Sequence, residues 1–273
     1  MDHWAEEDSA IYAEIAEIAV PRRAEMTATV VAAAPFAPGE AFRIVELGSG
    51  EGFLAEALLE AFPAASVLAL DGSESMRART ASRTARFGVR AAVRDFTLDA
   101  VDWWDRLAGV DLVVSSLCLH HLSDAKKRYL YKAVAERISS RGALLIADLI
   151  DPMHPASQQL AADAWDRAAR SRADDLGQPQ LYARFVEARW NHFRFPDAAD
   201  RPSALLHHLV WLTHAGFAAA ECLWLFAGHA VFGGFQRRTS LPAIPKRLRA
   251  TSRSEREGRE TERGAQEDVQ EER

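Results

Sequence analysis

Only two cysteines, Cys118 and Cys222, occur in this chain of 273 residues. So little cysteine excludes a disulfide scaffold. Each lies in an apolar, strand-like run, so both are expected as buried free thiols of a reducing cytoplasm. Excess positive charge is missing too. The 33 Lys and Arg against 39 Asp and Glu leave a formal net charge of -6. A chain of that balance has no global attraction to nucleic acid, and no nucleic-acid partner is expected. Long apolar runs are absent. A stretch such as Ala143 to Ile150 falls far short of the roughly 20 residues that span a bilayer, so no membrane association is expected. The start, Met1 to Asp8, is acidic and has no apolar centre, so no signal peptide is expected there. His207, His208, His214 and His229 are scattered without ligand spacing, and no metal site is expected.

What is present points to one large α/β domain, since 48% of the residues are hydrophobic. Its organising stretch runs from Arg43 to Phe53. Arg43 to Leu47 reads as a short buried strand, and Gly48-Ser49-Gly50-Glu51-Gly52 as a tight turn. Phe53 to Phe62 reads as a helix, with apolar residues at 54, 57, 58, 61 and 62. Alternate glycines let the backbone turn sharply and let a ligand approach it, while the helix start offers free N–H groups to the same space. A dinucleotide fingerprint would place its third glycine where Phe53 stands. Glu46, just before the turn, would repel a pyrophosphate and accept from an ammonium group. Both features argue against an NAD-dependent oxidoreductase.

Strand-like runs then alternate with helices. Ser66 to Asp71 ends in an acid about 20 residues past the turn, where a carboxylate binds ribose hydroxyls. Further strands are expected at Arg90 to Val93, running out to Asp95-Phe96, at Asp111 to Ser116, and at Ala143 to Leu149. A helix from Asp124 to Ile138, capped by Ser123 or Asp124, lies between the last two. Such alternation demands a parallel sheet with right-handed crossovers. Residues 9–20 and 22–34 read as two N-terminal helices separated by Pro21. Residues 151–201 break the pattern with four prolines and the helical stretches 156–170 and 180–190, an insertion before the last helix. That helix, started by Ser203, would point Leu205, Leu206, Leu209 and Leu212 inward. Two strands joined by Ala227-Gly228 close the domain. Beyond Arg237 the composition becomes Glu, Arg and Gln, and residues 238–273 are expected to be a disordered charged tail.

The Glu-x-Gly-x-Gly-x-Gly pattern at 46–52, with Leu119-His120-His121-Leu122 after the fourth strand, resembles class I S-adenosylmethionine (SAM)-dependent methyltransferases of the small-molecule type. The resemblance spans about residues 10 to 236. It implies a Rossmann-like, seven-stranded, mostly parallel sheet with an antiparallel last strand. Residues 1–38 would be a helical lid and 151–201 a helical insertion over the substrate side, within a domain of residues 1–237. It implies SAM as cofactor, held by Glu46, Gly48, Ser49, Gly50, Gly52, Asp71, Gly72 and Ser115. Met76, Asp95 and Phe96 would meet the adenine, and Arg22 or Arg23 the SAM carboxylate. His120, a base or a substrate contact, and Tyr12, Trp190 and Arg194 are the substrate-side candidates. His121 reads as a structural residue bonded to backbone. The expected partner is a small organic acceptor, and a homodimer stays open. No Asn-Pro-Pro-Tyr-type motif follows strand four, which weakens nucleic-acid or protein amino groups as acceptors. Two alternatives stay open as well. One is a carboxy-SAM synthase-like tRNA-modification enzyme, which needs an arginine near the methyl position, such as Arg184, Arg189 or Arg194. The other is a non-catalytic SAM-binding scaffold.

Overall fold

Strand β1 (Arg43–Leu47) lies in the interior of a seven-stranded sheet, and every other element is placed by reference to it. The computed structural model describes residues 6 to 237, with side chains from Ala10 onward. The tail expected over 238–273 lies outside these residues. The other strands are β2 (Ser66–Asp71), β3 (Ala91–Asp95), β4 (Leu112–Ser116), β5 (Ala143–Leu149), β6 (Ala219–Phe226) and β7 (His229–Phe235). Their order is β3-β2-β1-β4-β5-β7-β6. The first five run parallel, and β7 lies antiparallel between β5 and β6. The chain leaves β1 toward one edge and returns through β4 on its other side. That is a topological switch point, where the carboxyl ends of parallel strands open a crevice.

Helices cover both faces: α1 (Glu6–Ala19), α2 (Arg23–Ala33), α3 (Phe53–Ala61), α4 (Glu74–Thr84), α5 (Asp124–Arg137), α6 (Pro155–Asp175), α7 (Pro179–Glu187) and α8 (Leu205–Ala215). The period-2 side chains of β1 divide between two cores. Ile44 joins Leu58, Val67, Val114 and Leu145 under the helices of one face. Val45 and Leu47 join Val113, Leu144, Tyr131 and Leu212 under α5 and α8. Glu46 shares the parity of Ile44, so it points a carboxylate into the first face, beside the start of α3. Ser123 caps α5 by accepting from the Lys126 N–H.

Two expectations are corrected here. In α8 the inward positions are Leu205, His208, Leu209 and Leu212, while Leu206 is 62% exposed. The helix starts at Leu205, and the i, i+3, i+4, i+7 spacing from there selects His208. Cys222 is exposed rather than buried, because β6 is an edge strand and its ladder is irregular between Cys222 and Trp224. Cys118, half-buried, sits in the loop after β4. Among the described residues no helix is long and apolar enough to cross a membrane.

The insertion is bound into the domain by specific contacts. The indole N–H of Trp165 on α6 donates to the Ala19 carbonyl at 3.0 Å. Lys127 on α5 is fully buried and donates to the Arg201 carbonyl and, at 2.6 Å, to Ser203 Oγ. Ser203 Oγ in turn donates to Asp124 at 2.6 Å. This anchors the C-terminal end of the insertion onto α5.

Candidate active site

The glycine turn folds over the end of β2. The Gly48 and Ser49 N–H groups both donate to the Leu70 carbonyl, at 2.8 and 3.0 Å. Gly48, Gly50 and Gly52 all have positive φ, a backbone region that opposes side chains with a Cβ. A Cβ on Gly48 would lie 2.4 Å from Cys118 Sγ, so the turn needs glycine there to pass the β4 loop. A Cβ on Gly50 would meet nothing within 4 Å. It would project from the wall of a cavity of about 580 Å3 that this turn lines. The volume suits a small-molecule or cofactor site.

Glu46 and Asp71 stand on that wall. Glu46 is 1% exposed, and its Oε2 is buried without a hydrogen-bond partner. Burial pushes its carboxyl well above the usual range and the nearby Asp71 adds to this, against a backbone hydrogen bond from Ala55 that favours the charged form. A buried carboxylate oxygen with no donor is a costly feature in a folded chain. It fits an ammonium group brought by a ligand. Asp71 accepts from the Gly50 N–H at 2.7 Å and the Ser73 N–H at 2.9 Å. It ties the two ligand-facing turns together, while Ser73 itself caps α4.

Of the other sequence candidates, Ser49, Gly72, Met76, Phe96, Tyr12, Arg23, His120 and Trp190 line the same cavity. Arg23 lies over the rings of Tyr12 and Phe53, at 5.6 and 4.8 Å. Tyr12 meets Trp190 at 5.8 Å, so α1 and the insertion touch at the cavity wall. Five candidates are not in the lining. Gly52 packs against Thr80. Ser115 turns inward and donates to the Leu47 carbonyl at 2.9 Å. Asp95 ends β3 exposed to solvent, opposite Asp71 in the register. Arg22 sits over Phe226 and pairs with Glu25. Arg194 is taken by Asp163 and Asp166 on α6. Of the three arginines considered for a carboxylate donor, Arg184 is held by Glu14 and Glu187, and only Arg189 lines the cavity.

Past β4 the chain makes a short 3-10 turn, Leu119–His121, which carries the histidine pair. His120 is 8% exposed. Its Nδ1 lies 2.5 Å from Asp148 Oδ1, and its own N–H donates to Asp148 Oδ2 at 2.9 Å. Its Nε2 lies 3.4 Å from Asp200 Oδ1. Burial alone would lower the pKa of this imidazole, but the charges and hydrogen bonds of Asp148 and Asp200 outweigh it and raise it to about 10. At neutral pH His120 therefore already holds its second proton. This arrangement weighs against the general-base role considered from the sequence. A base must accept a proton, and both ring nitrogens are committed here. Asp200 itself is held far below the usual carboxylate range. Burial opposes this, and the close approach of His120, His121 and His192 to its carboxylate overcomes it. His121 touches the Ala199 carbonyl at 3.3 Å, the backbone contact expected of it, and also Asp200 at 3.2 Å.

Sequence reasoning missed Asp148, Asp200, His192 and Lys127. Asp148 left a signal, as the only charged residue in an otherwise apolar strand. Asp200 left none, because it reaches the site from the end of an insertion.

Comparisons with known proteins agree with this geometry. Residues 44–142 match the family described as a methyltransferase domain. No curated protein matches the chain. Solved structures do, at low identity. SibL, an S-adenosylmethionine-dependent methyltransferase, is similar at 19% identity and a TM-score of 0.53, over 78% of this chain and 55% of its own. An O-methyltransferase family protein from Burkholderia thailandensis is similar at 15% identity and a TM-score of 0.55, over 80% of this chain and 57% of its own. An O-methyltransferase family 2 protein from Planctomyces limnophilus, in complex with apigenin, gives 16% identity and a TM-score of 0.56, over 86% and 63%. The chain thus spans between 55 and 63% of the length of these relatives. Its fold is the one these methyltransferase structures share, and the methyltransferase-domain match runs across the glycine turn, β2, β3 and β4.

Proposed function

We propose that the protein transfers a methyl group from SAM to a small organic acceptor, in the cytoplasm. The observation that carries this reading is the partnerless Oε2 of Glu46, buried beneath the glycine turn on the cavity wall. It suits a ligand with an ammonium group close to a glycine-rich backbone. SAM has both an ammonium and a ribose to offer, and Asp71 stands beside the turn to meet the hydroxyls. Met76 and Phe96 provide apolar surface for the adenine, and Arg23 a cation for the carboxylate. When bound, SAM supplies a sulfonium methyl open to in-line attack by the acceptor's nucleophile, with S-adenosylhomocysteine as the leaving group.

The chain's own contribution is then placement. Helix α1 and the insertion, through Tyr12 and Trp190, bound the space in which an acceptor would sit. Holding two reactants in line contributes up to roughly 7 to 11 kcal/mol of the barrier without any proton transfer. His120, held between Asp148 and Asp200, shapes the acceptor's pocket rather than taking a proton. An arginine-dependent transfer of a carboxylate is less favoured, because two of the three arginines weighed for it are occupied by carboxylates.

The test is incubation with methyl-labelled SAM and a panel of phenols, enols, carboxylic acids and amines. The expected result is S-adenosylhomocysteine formed only when an acceptor is present, with label in the product. SAM bound tightly but never turned over with any acceptor class would instead favour a SAM-binding scaffold.

A further inference from the structure

Three histidines converge on one carboxylate inside the cavity. His120 Nε2 and His121 Nδ1 lie 3.4 and 3.2 Å from Asp200 Oδ1, and His192 Nδ1 lies 3.1 Å from Asp200 Oδ2. The ligand atoms of His120, His121 and Asp200 all fall within 4.8 Å of one another. The His–Asp200 separations, 3.1 to 3.4 Å, match those of atoms sharing one cation. Two ligands bound at about 2.1 Å stand about 3.0 Å apart at a right angle and about 3.4 Å apart at a tetrahedral angle.

One contact in the cluster is not a hydrogen bond. His192 Nδ1 is buried and close to Asp200, yet its geometry makes no hydrogen bond. Asp148 supplies the outer partner that metal-bound histidines use. It accepts from His120 Nδ1 and from the backbone N–H of His120 and Leu149, which orients the ring and aims Nε2 at Asp200. The charges also fit. Asp148 and Asp200 bring two carboxyl groups to the histidines, a donor set that suits a divalent cation.

We propose that His120, His121 and Asp200, with His192 beside them, form a binding site for one divalent transition-metal cation of the zinc, cobalt or manganese type. Two imidazoles and one carboxylate leave coordination positions open. His120, His121, His192 and Asp200 all line the cavity that the glycine turn lines, so the open positions face it. The ligand class they take is an oxygen-bearing acceptor, a phenol, enol or carboxylic acid, which binds through its ionised oxygen and releases its proton to water. This second part rests on the methyltransferase reading; the cation site does not.

The experiment is a titration of chelator-treated full-length protein with Co(II), followed by visible absorption, with Zn(II) competition and a parallel calorimetric titration with SAM. One Co(II) per chain with low-micromolar affinity, displaced by Zn(II), is expected. Asp200→Asn and His121→Gln should each weaken binding tenfold or more, while the exposed control His214→Ala leaves it unchanged. If either site variant melts well below the parent, His192→Gln takes its place, with at least a threefold loss expected. Absence of saturable Co(II) binding to the wild-type chain overturns the site, as does binding that no cluster variant alters. A chain that binds SAM but not Co(II) loses only the cation site. One that binds Co(II) but not SAM keeps the site and loses the acceptor chemistry.

Discussion

Replacing Glu46 by Gln separates the ligand-binding role of this residue from any structural one, because the two move in opposite directions. Glu46 is 1% exposed, and one of its oxygens has no partner. Its carboxyl is pushed well above the usual range by burial and then by Asp71. A carboxyl whose pKa is raised on folding binds more protons in the native than in the unfolded chain. Stability therefore falls as pH rises above the unfolded value, and at neutral pH the group destabilises the fold. Gln keeps the shape and a carbonyl for the Ala55 N–H, and it removes the buried charge. The melting temperature should hold or rise. SAM affinity should fall, since a hydrogen bond to a charged partner contributes about 1.5 to 3 kcal/mol. At about 1.4 kcal/mol per factor of ten, the loss is roughly 10- to 150-fold. Calorimetric titration with SAM and a thermal melt on the same two proteins give both numbers. Unchanged affinity, or a melting temperature several degrees lower, would refute the reasoning.

Asp71→Ala should weaken SAM binding and also cost about 1 to 3 kcal/mol of stability, because the Gly50 and Ser73 N–H groups lose their acceptor; denaturant unfolding alongside calorimetry checks both, and a loss confined to stability would remove the ribose role. Lys127→Met leaves the Arg201 carbonyl and Ser203 without their buried donor. A loss of about 1 to 2 kcal/mol, read as a melting temperature about 2 to 8 °C lower, is expected, and no change would show that this anchor of the insertion is dispensable. Burial lowers the pKa of His208, next to the positive charge of Lys127, and that of His229, each to about 4. Groups whose pKa drops on folding stay neutral in the native chain while the unfolded chain protonates, so stability falls with pH between about 6.5 and 4. His208→Gln should lessen that acid loss by up to about 3 kcal/mol in urea unfolding at pH 7 and pH 4.5, and an identical acid slope would count against a neutral, buried His208.

The fold was legible in the sequence because its strongest signals are local. Buried parallel strands read as short apolar runs, and the glycine turn between Leu47 and Phe53 marks where the first strand ends and the helix begins. Of the candidates on this local unit, Glu46, Gly48, Ser49, Gly50 and Asp71 line the cavity, while Gly52 turns against Thr80. Candidates chosen by residue type at longer range fared less well. Arg22 and Arg194 are cations of the right type, but each is held elsewhere, by Phe226 and Glu25 or by Asp163 and Asp166. A guanidinium reaches many neighbours, so sequence position alone does not fix its partner. The environment of His120 was hidden for a different reason. Asp148 comes from a neighbouring strand and Asp200 from the insertion, and their approach depends on sheet register and on the Lys127 anchor. Leu206 and His208 differ only by helix phase, which the true start of α8 decides.

Native mass spectrometry of the full chain, before and after adding SAM, tests the central claim most directly. The account predicts one bound SAM, or its demethylated product, per chain, lost in the Glu46→Gln and Asp71→Ala variants at concentrations that saturate the parent. No SAM adduct at saturating concentration, or a nicotinamide dinucleotide in its place, would contradict it.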